Sequence, residues 1–130
     1  MSNRILLIED NEQNRYLATF LLERHGYQVA SAVDGASGVQ VAEATVPDLI
    51  LLDIQLPLMD GHAVARALRA IPVLDATPII AVTSYAMVGD REKSLAAGCD
   101  GYIEKPIDPD TFVSTIEQIV ATVRAERTAS

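Results

Sequence analysis

Three stretches of this chain are apolar without interruption: Ile5-Leu6-Leu7-Ile8, Leu49-Ile50-Leu51-Leu52 and Ile79-Ile80-Ala81-Val82. None alternates with polar residues. A strand that is hydrophobic on both sides must be covered on both faces, as in a parallel sheet sandwiched by helices. Two further segments, residues 27–31 and 101–104, mix polar and apolar residues and suit the edges of such a sheet. Between these strands, apolar residues recur at helical spacing. A first helix is expected over 12–25, with Leu17, Phe20, Leu21 and Arg24 as its stripe and Gly26 as its cap. A second, over 36–45, carries Val39, Ala42 and Val46, and Pro47 forbids its continuation. A third covers 62–70, before Pro72, and a fourth 88–97, ending at Gly98. Asp108-Pro109 reads as an N-cap and first-turn proline of a fifth helix, whose core face is Phe112, Ile116, Ile119, Val120 and Val123.

Strand and helix thus alternate five times. That alternation implies an α/β fold, a doubly wound, five-stranded parallel sheet with right-handed crossovers and five helices. With the three apolar strands central, the order is 2-1-3-4-5, the flavodoxin-like arrangement. Its ligand crevice lies at the carboxyl ends of strands one and three. One domain is expected over residues 1–124, with a fraying C-terminal tail at 125–130.

Length and composition agree with one ordinary core: 130 residues, 49% hydrophobic. The net charge is −8 and the sequence pI about 4.5. A field of that sign repels phosphate backbones and disfavours nucleic acid as a partner. The single cysteine, Cys99, cannot form an internal disulfide and lacks a basic neighbour, so it is expected to be packing. The first apolar run is too short for a signal peptide or a membrane span, and a cytoplasmic protein is expected.

The strand ends carry the chemistry. Glu9, Asp10 and Asn11 follow the first strand, Asp53 ends the third, Thr83-Ser84 the fourth and Lys105-Pro106 the fifth. Three carboxylates gathered at one crevice repel each other. A hard, oxygen-loving cation such as Mg²⁺ (or Mn²⁺) offsets that repulsion, and no histidine or cysteine nearby points to zinc. Lys105 supplies a mobile positive charge for a phosphate oxygen, Thr83 a hydroxyl, and Asp53 a carboxylate nucleophile on a rigid strand. Each has an ordinary alternative: Asp10, Asn11 and Thr83-Ser84 as helix caps, Lys105 as a solvated lysine. Their joint occurrence at four ends of one sheet is what argues for a site.

Taken with Leu49 to Gly61, Pro78 to Thr83 and Gly101 to Pro106, these residues resemble the response-regulator receiver domain of two-component signalling, the CheY-like family. The resemblance spans about residues 4 to 122. The segment 83–90 is most like stand-alone regulators of the DivK type and receivers attached to hybrid histidine kinases. The resemblance implies that Asp53 accepts a phosphoryl group from a histidine kinase or histidine phosphotransfer protein. It implies Mg²⁺ held by Asp10, Asp53 and the backbone carbonyl of Gln55, with Glu9 acting through the metal's water. Thr83 and Lys105 would bind the phosphoryl group, Tyr102 would swing inward as Thr83 moves, and the bond preceding Pro106 would be cis. Gln55 and Tyr85 occupy positions that tune dephosphorylation, and a bulky Tyr85 predicts a longer-lived phosphoryl group than in chemotaxis regulators. Output would be altered protein binding at the face made by helix four, strand five and helix five, with no attached output domain. Monomer or phosphorylation-linked dimer is left open.

The expected role is therefore a switch rather than a turning-over enzyme. A phosphatase of the haloacid-dehalogenase type would want a second acid two residues past Asp53, where Gln55 stands. A flavin- or nucleotide-binding module would want a glycine-rich, not acidic, first turn. A degenerate receiver acting as a scaffold would not need Asp10, Asp53, Thr83 and Lys105 together.

Overall fold

A computed structural model of the chain describes residues 3–56, 60–84 and 89–129. Five parallel strands, β1 (Arg4–Ile8), β2 (Gln28–Ala32), β3 (Leu49–Asp53), β4 (Ile79–Thr83) and β5 (Gly101–Glu104), alternate with helices α1 (Glu12–Arg24), α2 (Gly35–Thr45), α3 (Gly61–Arg69), α4 (Asp90–Ala96) and α5 (Phe112–Ala129). The sheet order is β2-β1-β3-β4-β5, as the hydrophobic pattern requires. Every residue of β3 and β4 is buried, whereas β2 is mostly exposed and β5 mostly half-buried.

Because strand side chains alternate, each central strand feeds two cores. Leu6, Ile8, Ile50, Leu52, Ile79 and Ala81 face a cluster with Val64 and Leu68 of α3. Ile5, Leu7, Leu49, Leu51 and Ile80 face the other way, onto Leu22 of α1 and Phe112 and Ile116 of α5. Cys99 is buried in the first cluster, and burial, then the Asp100 charge, pushes its thiol up to about 12, which makes it an inert packing group.

Several boundaries and faces differ from the sequence expectation. In α1 the core stripe is Ala18, Leu21 and Leu22. Phe20 is 46% exposed and stacks on Tyr16 with the Arg24 guanidinium over its ring. A stripe read one residue off gathers the same number of apolar side chains, and only the docked helix tells them apart. Strand β2 starts one residue later than expected. Asp108 opens a turn rather than the last helix: its carboxylate accepts from Asp110 N–H, its carbonyl accepts from Phe112 N–H, and regular helix begins at Phe112. Residues 125–129, within the expected tail, continue α5. Gly61 serves a close approach of backbones: a Cβ there would lie 2.4 Å from Ile54 Cα.

The far end of the sheet is tied by Arg69. Its guanidinium donates to the carbonyls of Gly98, Leu74 and Thr77 and to the Asp100 carboxylate at 2.6 Å, while Asp100 also accepts from Ile79 N–H. These bonds join α3, the start of β4 and the turn before β5, and leave the opposite, carboxyl end of the sheet as the end that carries chemistry.

Candidate functional site

Asn11 settles which polar residue of the first turn is structural. Its side chain caps α1 by accepting from Asn14 N–H, so the neighbouring acids are not spent as caps. Glu9 is buried, and its Oε2 accepts from Asn11 N–H. Asp10 is exposed at the crevice edge. The Arg15 side chain, one turn into α1, donates to the carbonyls of Glu9 and Asp10 and pins this loop.

Asp53 is buried at the end of β3. Carboxylate oxygens of Glu9, Asp10 and Asp53 all lie within 4.8 Å of one another. Lys105, just past β5, reaches both buried acids: its Nζ is 2.7 Å from Glu9 Oε1 and 3.4 Å from Asp53 Oδ2. The Lys105–Pro106 peptide bond is cis, as expected. Burial, with Asp53 close by, raises the Glu9 carboxyl to about 7 despite the opposing pull of Lys105. The donor set is all oxygen and carries more negative charge than one lysine balances. That fits a hard divalent cation, with Glu9, Asp10 and Asp53 the side chains that would hold it.

The rest of the site is organised by Gln55. Its backbone N–H donates to Asp53 Oδ1 at 2.9 Å. Its side chain crosses to the end of β4, where Nε2 meets Thr83 Oγ1 and Oε1 accepts from Ser84 N–H and Oγ. Thr83 is buried. Tyr102 is half-buried on β5, packed against the core on the α3 side, and its hydroxyl is raised by burial and then by the charges of Asp90, Glu104 and Glu92. The structure thus brings Glu9, Asp10, Asp53, Gln55, Thr83 and Lys105 to one crevice, with Tyr102 one strand away. Tyr85 lies outside the described residues.

Two participants escaped the sequence reading, and a third was read only in part. Arg15 looks like any surface residue of an amphipathic helix. Ser84 looks like a cap. Gln55 was expected to offer its carbonyl to a metal and to tune dephosphorylation, and its bridge to Thr83 and Ser84 is what the sequence does not show. Each contact depends on which loops face one another, and no spacing along the chain encodes that. His62, in contrast, takes no part: its Nε2 lies 3.1 Å from Ser94 Oγ, between α3 and α4.

Comparison with known proteins agrees with this geometry. The family model of the response regulator receiver domain matches residues 5–117. The polar-differentiation response regulator DivK of Brucella ovis is 40% identical over 117 residues, covering 90% of this chain and 95% of its own. Among solved structures, the receiver domain of sensor histidine kinase PA1611 from Pseudomonas aeruginosa, with a magnesium ion coordinated in its active site cleft, superposes with a TM-score of 0.84 at 36% identity, covering 93% of this chain and 99% of its own. Chemotaxis protein CheY4 of Vibrio cholerae superposes with a TM-score of 0.86 at 26% identity, covering 92% and 99%.

Proposed function

Because the chain belongs to the response regulator receiver family, we propose that it is a DivK-like signalling switch whose phosphoacceptor is Asp53. The observation that carries this reading is the buried Asp53 carboxylate, held within 4.8 Å of Glu9 and Asp10 and 3.4 Å from Lys105. The donor is a phosphohistidine of a kinase or phosphotransfer protein. The histidine N–P bond breaks, an Asp53 O–P bond forms, and the histidine nitrogen is left to take a proton. A bound Mg²⁺ would neutralise charge on the acids and on the transferring group.

This chain's own residues do the remainder. Glu9, Asp10 and Asp53, with the Gln55 carbonyl, would hold the cation. Lys105, already between the two buried acids, pairs with a phosphoryl oxygen, and the Thr83 hydroxyl donates to another. A phosphoryl group brings about −1.5 to −2 charges and three acceptor oxygens, so both residues exchange their present partners, Glu9 and Asp53 for Lys105 and Gln55 for Thr83, when it arrives. The free energy of those bonds biases Tyr102 and the α4–β5–α5 face, where a protein target docks. Couplings of this kind amount to about 1–3 kcal/mol, a shift in populations. No helix among the described residues is long and apolar enough to cross a membrane.

The test is incubation with acetyl phosphate and Mg²⁺ followed by intact mass. One phosphoryl adduct is expected on the wild type and none on Asp53→Asn. An adduct that survives Asp53→Asn, or none at all with acetyl phosphate and cognate kinases, sinks the reading. For Tyr85, the sequence position argues that Tyr85→Ala speeds phosphate release. An unchanged rate removes that role.

A further inference from the structure

The Gln55 side chain spans two strand ends at the point where the main-chain ladder stops. The last rung between β3 and β4 is Ile54 N–H to the Val82 carbonyl, 3.0 Å. One residue further, the Gln55 carboxamide makes the connection instead. Its orientation is fixed by chemistry. Ser84 N–H can only donate, so the amide oxygen must face it, at 3.2 Å, and that oxygen also takes the Ser84 hydroxyl at 2.8 Å. The amide nitrogen is thereby aimed at Thr83 Oγ1, 2.5 Å away. The backbone N–H of the same residue sits on Asp53 Oδ1. Gln55 therefore touches the acceptor carboxylate with its main chain and the switch hydroxyl with its side chain.

We propose that the Gln55 carboxamide is a latch that positions Thr83 and Ser84 and competes with a phosphoryl group on Asp53 for the Thr83 hydroxyl. This rests on Asp53 being the phosphoacceptor. Thr83 accepts from Gln55 and donates its O–H to a phosphoryl oxygen, so the conflict is one of position: the shift of Oγ1 toward Asp53 that phosphoryl binding entails draws it off the Gln55 amide. The bond gained is charge-assisted and roughly twice as strong as the neutral one given up. The latch thus sets a threshold: it holds the β4 end against spontaneous excursions and yields to the phosphoryl group. A side chain that merely braced the loop would have the opposite sign. Removing a brace would loosen the site and weaken its hold on a phosphoryl mimic, whereas removing a latch strengthens it.

The comparison uses wild type, Gln55→Met, which keeps length and apolar bulk without the hydrogen bonds, and Ser84→Ala, at an exposed position where folding is not at stake. Two readouts are taken: the Thr83 χ1 rotamer from three-bond NMR couplings in metal-free protein, and the midpoint of beryllofluoride binding in excess Mg²⁺. The latch requires one Thr83 rotamer in wild type, averaging in Gln55→Met, and a midpoint roughly fivefold lower. Ser84→Ala must move the midpoint the same way by a smaller factor. An unchanged or higher midpoint in either variant, or an unaveraged Thr83 in Gln55→Met, overturns the latch. Wild type that neither binds beryllofluoride nor accepts a phosphoryl group overturns the phosphoacceptor reading instead, and the rotamer measurement still tests the clamp.

Discussion

Lys105 Nζ sits closer to Glu9, at 2.7 Å, than to Asp53, the proposed phosphoacceptor, at 3.4 Å. All three side chains are at most one-tenth exposed, so this lysine is the charge that lets two buried acids coexist. Removing one partner of a buried ionic cluster leaves uncompensated charge. Lys105→Met is expected to destabilise the metal-free protein by about 3 kcal/mol at pH 8. Urea unfolding with chelator measures this, and added Mg²⁺ should restore part of the loss.

Glu9 gives a stability that depends on pH. Its folded carboxyl holds a proton up to about pH 7, whereas the unfolded chain releases it near the ordinary carboxyl value of 4.5. Between those values the folded state binds more protons than the unfolded state, so metal-free stability falls as pH rises through this window. Glu9→Gln removes that term. Plotted against pH from 5 to 8, the unfolding midpoint of wild type should decline relative to Glu9→Gln. Parallel curves would refute the shifted carboxyl.

Arg69 and Asp100 govern stability at the other end of the sheet. Arg69→Met deletes four hydrogen bonds and leaves the Asp100 carboxylate without its counter-charge, both side chains being about four-fifths buried. A loss of about 2–4 kcal/mol is expected in urea unfolding with an unchanged m-value. The acetyl phosphate adduct on Asp53 should still form under conditions where the variant is folded, because Arg69 lies away from the crevice.

Gly61→Ala should affect both stability and the site. The added methyl would meet the Ile54 backbone, while Gly61 N–H donates to the Ile54 carbonyl at 3.1 Å. Relief requires moving the segment that carries Gln55. About 1–3 kcal/mol of destabilisation is expected, together with slower adduct formation from acetyl phosphate. Gly26→Ala is the control. Nothing lies within 4 Å of a Cβ there, but its φ of +88° strains the backbone, so it should destabilise without slowing adduct formation.

Much of this was legible along the chain. Unbroken apolar runs at Ile5–Ile8, Leu49–Leu52 and Ile79–Val82 forced three two-sided strands into the centre. That alone gave the sheet order and put Glu9, Asp10, Asp53, Thr83 and Lys105 at one edge. Periodicity served less well in the helices. Phe20 satisfies a helical stripe as well as Ala18 does, because an α-helix offers several faces of similar hydrophobicity and only the partner surface selects one. The last helix also starts later than Asp108-Pro109 indicated, since an Asp-Pro pair opens a turn as readily as a helix.

Sequence by itself determined the fold and the inventory of the crevice, because strand ends are set by where hydrophobic runs stop. Tertiary structure decided how those residues pair. That Lys105 leans toward Glu9, that Arg15 pins the acidic loop, and that Gln55 clasps Thr83 and Ser84 all depend on distances between separate loops. Those distances are set by the packing of helices on the sheet, which no local pattern of residues records.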